Sequence, residues 1–244
     1  MNGRLTRREF LAYASIFGWI PFFRPHHIGL AGARFQIIRN GNPRRHYLLI
    51  HGDEEAARQV LLYHMRAHEG IAYLAEGQTR NIQVAGGEID PNRMFSRAGA
   101  EASLRALNPE WGPDRIAAAL RILDAGREKL VRALLPRPGG RLIALHNNSE
   151  AYSVVNEIPQ SDAASIREPD NPHAFFLCTD EGDFRVLAGS PYNVVLQNKP
   201  PEKDDGSLSR LAAARHVRYM NLEVAHGHPD RQREMLDWAE WNLP

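Results

Sequence analysis

The chain has 244 residues, 43% of them hydrophobic, and 30 Lys+Arg against 29 Asp+Glu leave a formal net charge of +1. This is ordinary globular composition and disfavours collagen-like, coiled-coil, disordered and multi-span membrane classes. The length accommodates one large α/β domain with a substantial core, or two small ones, and the first is favoured.

The N-terminus reads as an address. Thr6-Arg7-Arg8-Glu9-Phe10-Leu11 sets two adjacent arginines ahead of Phe-Leu and an apolar run ending at Phe23, the pattern of a twin-arginine export signal. That run is shorter than the roughly 20 residues a bilayer span needs, and Gly18, Pro21 and Pro25 interrupt any amphipathic first helix. Ala31-Gly32-Ala33 has the A-x-A pattern that signal peptidases cut. The expected division is therefore a leader over 1–33, handled by the twin-arginine machinery, and one exported domain over 34–244, periplasmic or extracellular. Losing Arg4, Arg7, Arg8, Arg24 and Glu9 leaves 26 basic and 28 acidic residues, with no electrostatic footprint for nucleic acid and no membrane span. The one cysteine, Cys178, cannot form an internal disulfide and reads as a core residue.

Beyond the leader, short apolar runs alternate with helical periods, as in a mostly parallel, mixed sheet with helices on both faces. In chain order, the expected elements are a strand over His46-Ile50, a helix over Glu54-His68, strands over Ile71-Ala75 and Asn81-Ala85, helices over Arg97-Leu107 and Pro113-Leu135, and a strand over Arg141-Leu145. Strands over Ala174-Thr179, Phe184-Leu187 and Asn193-Gln197 follow, then a helix over Ser207-His216, a strand over Arg218-Val224 and a helix over Asp230-Trp241. The helix from Pro113 has the clearest period, with Ile116, Leu120, Leu123, Leu130, Val131 and Leu134 on one face. Gln160 to Pro172 and Lys199 to Gly206, dense in Pro, Asp, Ser and Lys, read as surface loops.

Chemistry concentrates at four places. Tyr47-Leu48-Leu49-Ile50-His51-Gly52-Asp53-Glu54 is an apolar strand ending in His-x-x-Glu where a helix begins. A tight turn there lets imidazole and carboxylate converge on one metal ion, although the same residues also suit a helix-capping acidic pair beside an incidental histidine. Asp90-Pro91-Asn92-Arg93-Met94-Phe95 offers a planar guanidinium and an amide to a substrate carboxylate. Leu145-His146-Asn147 is a second strand ending in histidine, and Glu223 lies inside an otherwise largely apolar strand, where a carboxylate is costly unless paired or used.

In this order the four elements resemble the zinc carboxypeptidase clan, most closely its aspartoacylase/succinylglutamate desuccinylase branch, over roughly residues 46 to 240. The resemblance implies an α/β zinc hydrolase. His51, Glu54 and His146 would be the ligands of one zinc ion, leaving a fourth position open. Asp90 would accept a hydrogen bond from a ligating imidazole, that of His51. Asn92 and Arg93 would hold a substrate carboxylate, and Glu223 would take a proton from water and return it to the leaving nitrogen. Arg80 is the nearest candidate for the branch's oxyanion-stabilising arginine, at a longer spacing from Asp90 than the branch has. Two differences bear on substrate: the branch adds a smaller β-rich domain, for which this sequence leaves no room, and Ala144 stands where the branch often has Asp. The implied activity is cleavage of an amide bond in a small carboxylate-bearing substrate, as in an N-acyl amino acid deacylase. The alternatives are carboxypeptidase-like trimming of short or cell-wall peptides, and a zinc-binding protein without turnover.

Other features stay open at this level. His64 and His68 are one helical turn apart without the following Glu of a zincin motif, so they read as packed or solvated. His226 and His228 either line the same mouth or belong to an ordinary loop, Tyr192 is a candidate cover for the site, and Trp238 and Trp241 read as packing. No G-x-S-x-G, P-loop or G-x-G-x-x-G motif is present.

Overall fold

The computed structural model describes residues 26–42, 44–149, 151–200 and 203–243. The expected twin-arginine motif lies outside them. Runs of branched and aromatic residues with few polar interruptions form the central strands: β3 (Arg45–Leu49), β4 (Gly70–Ala75), β7 (Arg141–Asn148) and β11 (Arg218–Ala225). Apart from terminal residues they are buried, as strands covered on both faces must be. With β1 (His26–Leu30), β2 (Ala33–Asn40), β8 (Ala163–Ser165), β9 (Phe175–Cys178) and β10 (Asn193–Leu196) they make a nine-stranded sheet in the order β1-β2-β4-β3-β7-β11-β9-β10-β8. The four central strands are mutually parallel, as is the β9/β10 pair. The β1/β2, β2/β4, β11/β9 and β10/β8 ladders are antiparallel. The expected α/β fold is present, and its sheet is mixed, with antiparallel margins around a parallel centre.

Seven helices cover the sheet among the described residues. On one face α1 (Glu55–His64), α5 (Glu181–Leu187) and α7 (Pro229–Asn242) bury Val60, Leu61, Leu187, Met235 and Leu236 against Tyr47, Leu49, Leu145 and Leu222. On the other, α2 (Arg97–Leu107), α3 (Pro113–Leu134) and α6 (Leu208–Ala214) bury Leu104, Leu120, Leu123, Leu130 and Leu208 against Phe35, Leu48, Leu142 and Tyr219. The remaining helix is the short α4 (Val154–Glu157). Among the described residues no helix is long and apolar enough to cross a membrane.

Several expectations are corrected. Phe184-Leu187 is helix, because the Asp180 carboxylate accepts from the Asp183 N–H and caps α5, and Leu187 then faces the core. Asn81-Ala85 contributes only β5 (Ile82–Val84), which pairs with β6 (Gly87–Ile89) in a separate hairpin. The Gln160–Pro172 loop contains β8, held by β10. Ala31-Gly32 is the tight turn of the β1/β2 hairpin, whose Leu30 and Ala33 are both buried. The expected leader boundary at residue 33 thus falls inside the sheet.

Candidate functional site

The three parallel strands β3, β7 and β11 end side by side, and each delivers one chemically active side chain. His51 lies two residues past β3, and Glu54 follows immediately before α1. His146 and Glu223 are Cα partners across the β7/β11 ladder, so both project from the same face. The Nδ1 atoms of His51 and His146 lie 2.8 Å and 3.2 Å from Glu54 Oε1, and all three residues are buried. Their candidate ligand atoms are within 4.8 Å of one another.

This group fits a cation. Glu54 Oε2 is buried with no hydrogen-bond partner among the described residues, an arrangement that costs free energy unless a positive centre satisfies it. Two imidazole nitrogens and a carboxylate oxygen are a zinc donor set. Burial alone would raise the Glu54 carboxyl, but the flanking imidazoles of His146 and His51 outweigh it and hold the group ionised. His51 Nε2 is 3.0 Å from Asp90 Oδ1, which fixes the ring with Nδ1 turned towards Glu54. Burial opposes protonation of His51, yet the hydrogen bonds to Asp90 and Glu54 prevail and raise its pKa to about 9.

Asp90 does a second job. The same Oδ1 accepts the Asn92 N–H at 2.8 Å and caps the 3₁₀ turn Pro91–Arg93, tying the turn that carries Asn92 and Arg93 to the His51 ring. The Asn92 carbonyl oxygen accepts from the Leu208 N–H, which leaves its NH₂ end to donate. Arg93 Nη1 is 2.6 Å from Asp205 Oδ2, and both side chains are part-exposed at the pocket rim. Arg80 is half-exposed, with Nη1 3.6 Å from Glu54 Oε1 and Nη2 3.9 Å from Asp90 Oδ2. Gly52 makes that placement possible: its N–H donates to the Thr79 carbonyl, and a Cβ there would come within 3.0 Å of the Gly77 and Thr79 backbone. Only glycine lets the loop carrying Arg80 close against the His51–Glu54 turn.

Glu223 is 5% exposed. Asn221 Nδ2 donates to its Oε1 at 2.9 Å and Asn148 Nδ2 to its Oε2 at 3.2 Å. Burial pushes its carboxyl above the ordinary value, His146 pulls it back, and Glu54 adds to the rise. His51, Glu54, Arg80, Asn92, Arg93, His146, Asn148, Tyr152, Glu223 and His226 all line one cavity of about 350 Å³, so the expected site residues lie at one place, with Asp90 directly behind His51.

Sequence reasoning missed Asn148, Asn221 and Tyr152. Asparagine inside a strand carries no pattern; the contact of Asn148 with Glu223 follows only from the β7/β11 register, and that of Asn221 from the two-residue period of β11. Tyr152 Oη donates to Glu157 at 2.5 Å and forms one wall. Asn147, quoted only as part of a motif, points to the opposite face, where its Oδ1 accepts the Ala57 N–H and its Nδ2 donates to Gln232. It thereby anchors the first turn of α1 behind Glu54.

The other candidates separate cleanly. His64 is buried and stacks on His68 at 3.9 Å, with Nε2 3.2 Å from Tyr47 Oη, so the pair is packing. His228 precedes α7 and lies outside the cavity that His226 lines. Tyr192 does not cover the site: it is buried against Phe176 and Trp238 beneath the Arg231 guanidinium. Trp238 packs as expected, whereas Trp241 is 86% exposed. Cys178 is buried, and burial pushes its thiol pKa up, as befits a core residue.

No family model and no curated protein matches this chain by sequence. Among solved structures, it is similar to a succinylglutamate desuccinylase/aspartoacylase from Rhodobacter sphaeroides, at 13% identity and TM-score 0.42 over 86% of this chain and 59% of that one. It therefore spans less than two thirds of that protein's length. It is also similar to a candidate metallopeptidase from Shewanella denitrificans, at 12% identity and TM-score 0.44 over 90% of this chain and 82% of the other. A third, a candidate metallopeptidase from Shewanella amazonensis, shares 15% identity at TM-score 0.40 over 96% and 90% of the two chains.

Proposed function

We propose that this chain is an exported, zinc-dependent hydrolase that cleaves an amide bond in a small substrate bearing a free carboxylate, in the manner of an N-acyl amino acid deacylase. The observation that carries this reading is the convergence of His51 Nδ1 and His146 Nδ1 on the buried Glu54 carboxylate, beside a second buried carboxylate, Glu223, in one cavity. A zinc-binding protein without turnover has no use for the second carboxylate.

His51, Glu54 and His146 would hold a zinc ion, which when bound would supply Lewis-acid chemistry for the scissile carbonyl and for water. The chain's own groups do the rest. Glu223, its two oxygens fixed by Asn148 and Asn221, accepts a proton from the attacking water and returns it to the leaving nitrogen. Arg80 extends over the mouth and offers guanidinium donors to the oxyanion that forms on the carbonyl oxygen. Arg93 and the Asn92 amide bind the substrate carboxylate, with Asp205 restraining the guanidinium at the rim. Asp90 holds His51 in the tautomer that presents Nδ1.

A second reading, trimming of short or cell-wall peptides, is favoured by a neighbouring cavity of about 490 Å³ that shares Asp53 and Arg80 with the first. It gives a longer substrate room beyond the reacting bond. A release assay over N-acyl amino acids and short peptides, with and without chelator, tests both. Chelator-sensitive release from acyl amino acids supports the deacylase and release from peptides alone supports trimming, while the absence of any chelator-sensitive release counts against both.

Export rests on the Thr6–Leu11 pattern. Processing before His26 would keep the β1/β2 hairpin, in which β1 pairs with β2 along its whole length, and this is the cleavage we propose. N-terminal sequencing of protein recovered from the periplasm tests this: a start at Arg34 would refute it.

A further inference from the structure

The buried face of α7 repeats as Gln232, Met235, Leu236 and Ala239, an apolar stripe with one amide in it. A buried amide is costly unless both of its ends are paired. Gln232 is fully buried, and both of its ends are used. Its Nε2 donates to the His146 carbonyl at 2.9 Å, and its Oε1 accepts from Asn147 Nδ2 at 3.1 Å. One residue of α7 thereby holds both the backbone of His146 and the side chain next to it in the strand.

Asn147 passes this hold to the element that carries Glu54. Alternate residues of β7 face opposite ways, so His146 turns to Glu54 while Asn147 faces α1. Asn147 Oδ1 accepts the Ala57 N–H at 2.9 Å, in the first turn of α1. Glu54 stands at the N-cap of that helix, where a side-chain oxygen ordinarily accepts the N–H two or three residues on. Its carboxylate makes no such bond, since Oε1 lies against the His51 and His146 imidazoles. Ala57 is fully buried, so its N–H has no recourse to bulk water and needs an acceptor from the fold.

We propose that Asn147 and Gln232 are positioning residues of the metal site: Asn147 caps α1 in place of Glu54, and Gln232 holds the Asn147 amide in the orientation that does so. The Asn147 side chain has one acceptor end and one donor end. With Gln232 Oε1 on its Nδ2, its Oδ1 is directed at Ala57. The other contacts of Nδ2, with the His146 and Val224 carbonyls, are longer at 3.3 Å and 3.4 Å. Without Gln232 the amide is free to turn, and the Ala57 N–H loses its acceptor. The Glu54 carboxylate, at the N-cap, is the acceptor a helix start ordinarily uses, and it is drawn off the imidazoles with which it would share the metal. The proposal rests on the metal site of His51, Glu54 and His146 and is independent of the substrate.

The test uses the full-length protein with Asn147→Ala and Gln232→Met, the second of which keeps the volume of the side chain and completes the apolar stripe. Zinc affinity is read by competition with a chromophoric chelator, and exchange of the Ala57 N–H by NMR of the zinc-free protein. Both variants should bind zinc about tenfold more weakly, the lower end of what lost ligand support costs. The Ala57 N–H should exchange about tenfold faster, the scale of one hydrogen bond. Met235→Ala, on the same stripe but outside the amide pair, is the control: it should lower the melting temperature at least as far and leave zinc affinity unchanged. Three results would each overturn the proposal while leaving the metal site standing: variants that hold zinc as tightly as wild type, an unchanged Ala57 exchange rate in Gln232→Met, or an equal loss of zinc affinity in Met235→Ala. A wild-type protein that binds no zinc would instead remove the metal site, and the proposal with it.

Discussion

Replacing Glu223 by Gln separates proton transfer from structure. In the native site each oxygen of Glu223 accepts one amide N–H, from Asn221 and from Asn148. Glutamine keeps one acceptor and turns the other position into a donor. The carbonyl oxygens of both asparagines are buried without partners among the described residues, so a half-turn of one amide restores the lost bond. At most one hydrogen bond is lost, about 0.5–1.5 kcal/mol, and removal of a buried charge offsets part of that. In a domain of this size the melting temperature should fall by no more than about 6 °C. Turnover should fall about 10²–10⁴-fold, which is about 2.7–5.5 kcal/mol of barrier. The assay is initial-rate hydrolysis of the best substrate from the release panel, with metal content and thermal melts measured on the same samples. Arg93→Ala is the contrast: loss of carboxylate recognition raises KM at least as clearly as it lowers kcat. A Glu223→Gln enzyme with native metal content and the wild-type rate would refute the assignment of the proton-transfer group.

Two further outcomes follow from neighbouring contacts. Asp90→Ala should weaken metal binding about 10–100-fold in competition with a chromophoric chelator, because it frees the His51 ring; unchanged affinity would mean that Glu54 and packing alone orient that ring. The second concerns Glu240, whose carboxylate accepts from Tyr47 Oη at 2.8 Å and pairs with Arg45. Burial raises its pKa, but His64, Tyr47 and Arg45 outweigh burial and leave it below the ordinary value. The folded pKa is thus lower than the unfolded one, so this stabilisation is present above about pH 4.3 and is lost as pH falls through the folded value. Glu240→Gln should cost about 2 kcal/mol at neutral pH, about 4–8 °C in melting temperature. The gap to wild type should close in acid, and melts that stay parallel from pH 7 to pH 3 would contradict this.

Much of the site was legible in the sequence because strand ends and turns are punctuated there. Tyr47 to Glu54 reads as strand, turn and helix start, which sets His51 beside Glu54 before any tertiary contact is known. Glu223 stands out because a carboxylate in an apolar strand needs a reason. What supports these groups was hidden: Asn148 gains its role from the β7/β11 pairing, Asn221 from sharing a face of β11 two residues before Glu223, and Gly52 from the close approach of the 77–80 loop. The β1/β2 hairpin was missed because an apolar N-terminal run followed by Ala-Gly-Ala reads as a leader. β2 also shows little two-residue alternation, with intermediate burial through Gln36, Ile37 and Ile38. Phe184 to Leu187 shows the ambiguity of short apolar runs: four such residues fit strand or helix, and the Asp180 cap decided for the helix.

His51, Glu54 and His146 are expected to hold one zinc ion. Elemental analysis of protein purified after expression in zinc-replete medium tests it most directly. About one zinc per chain is expected, lost in His51→Ala and in His146→Ala while each variant keeps its secondary structure. Folded wild-type protein without stoichiometric transition metal, or variants that retain the full complement, would contradict it.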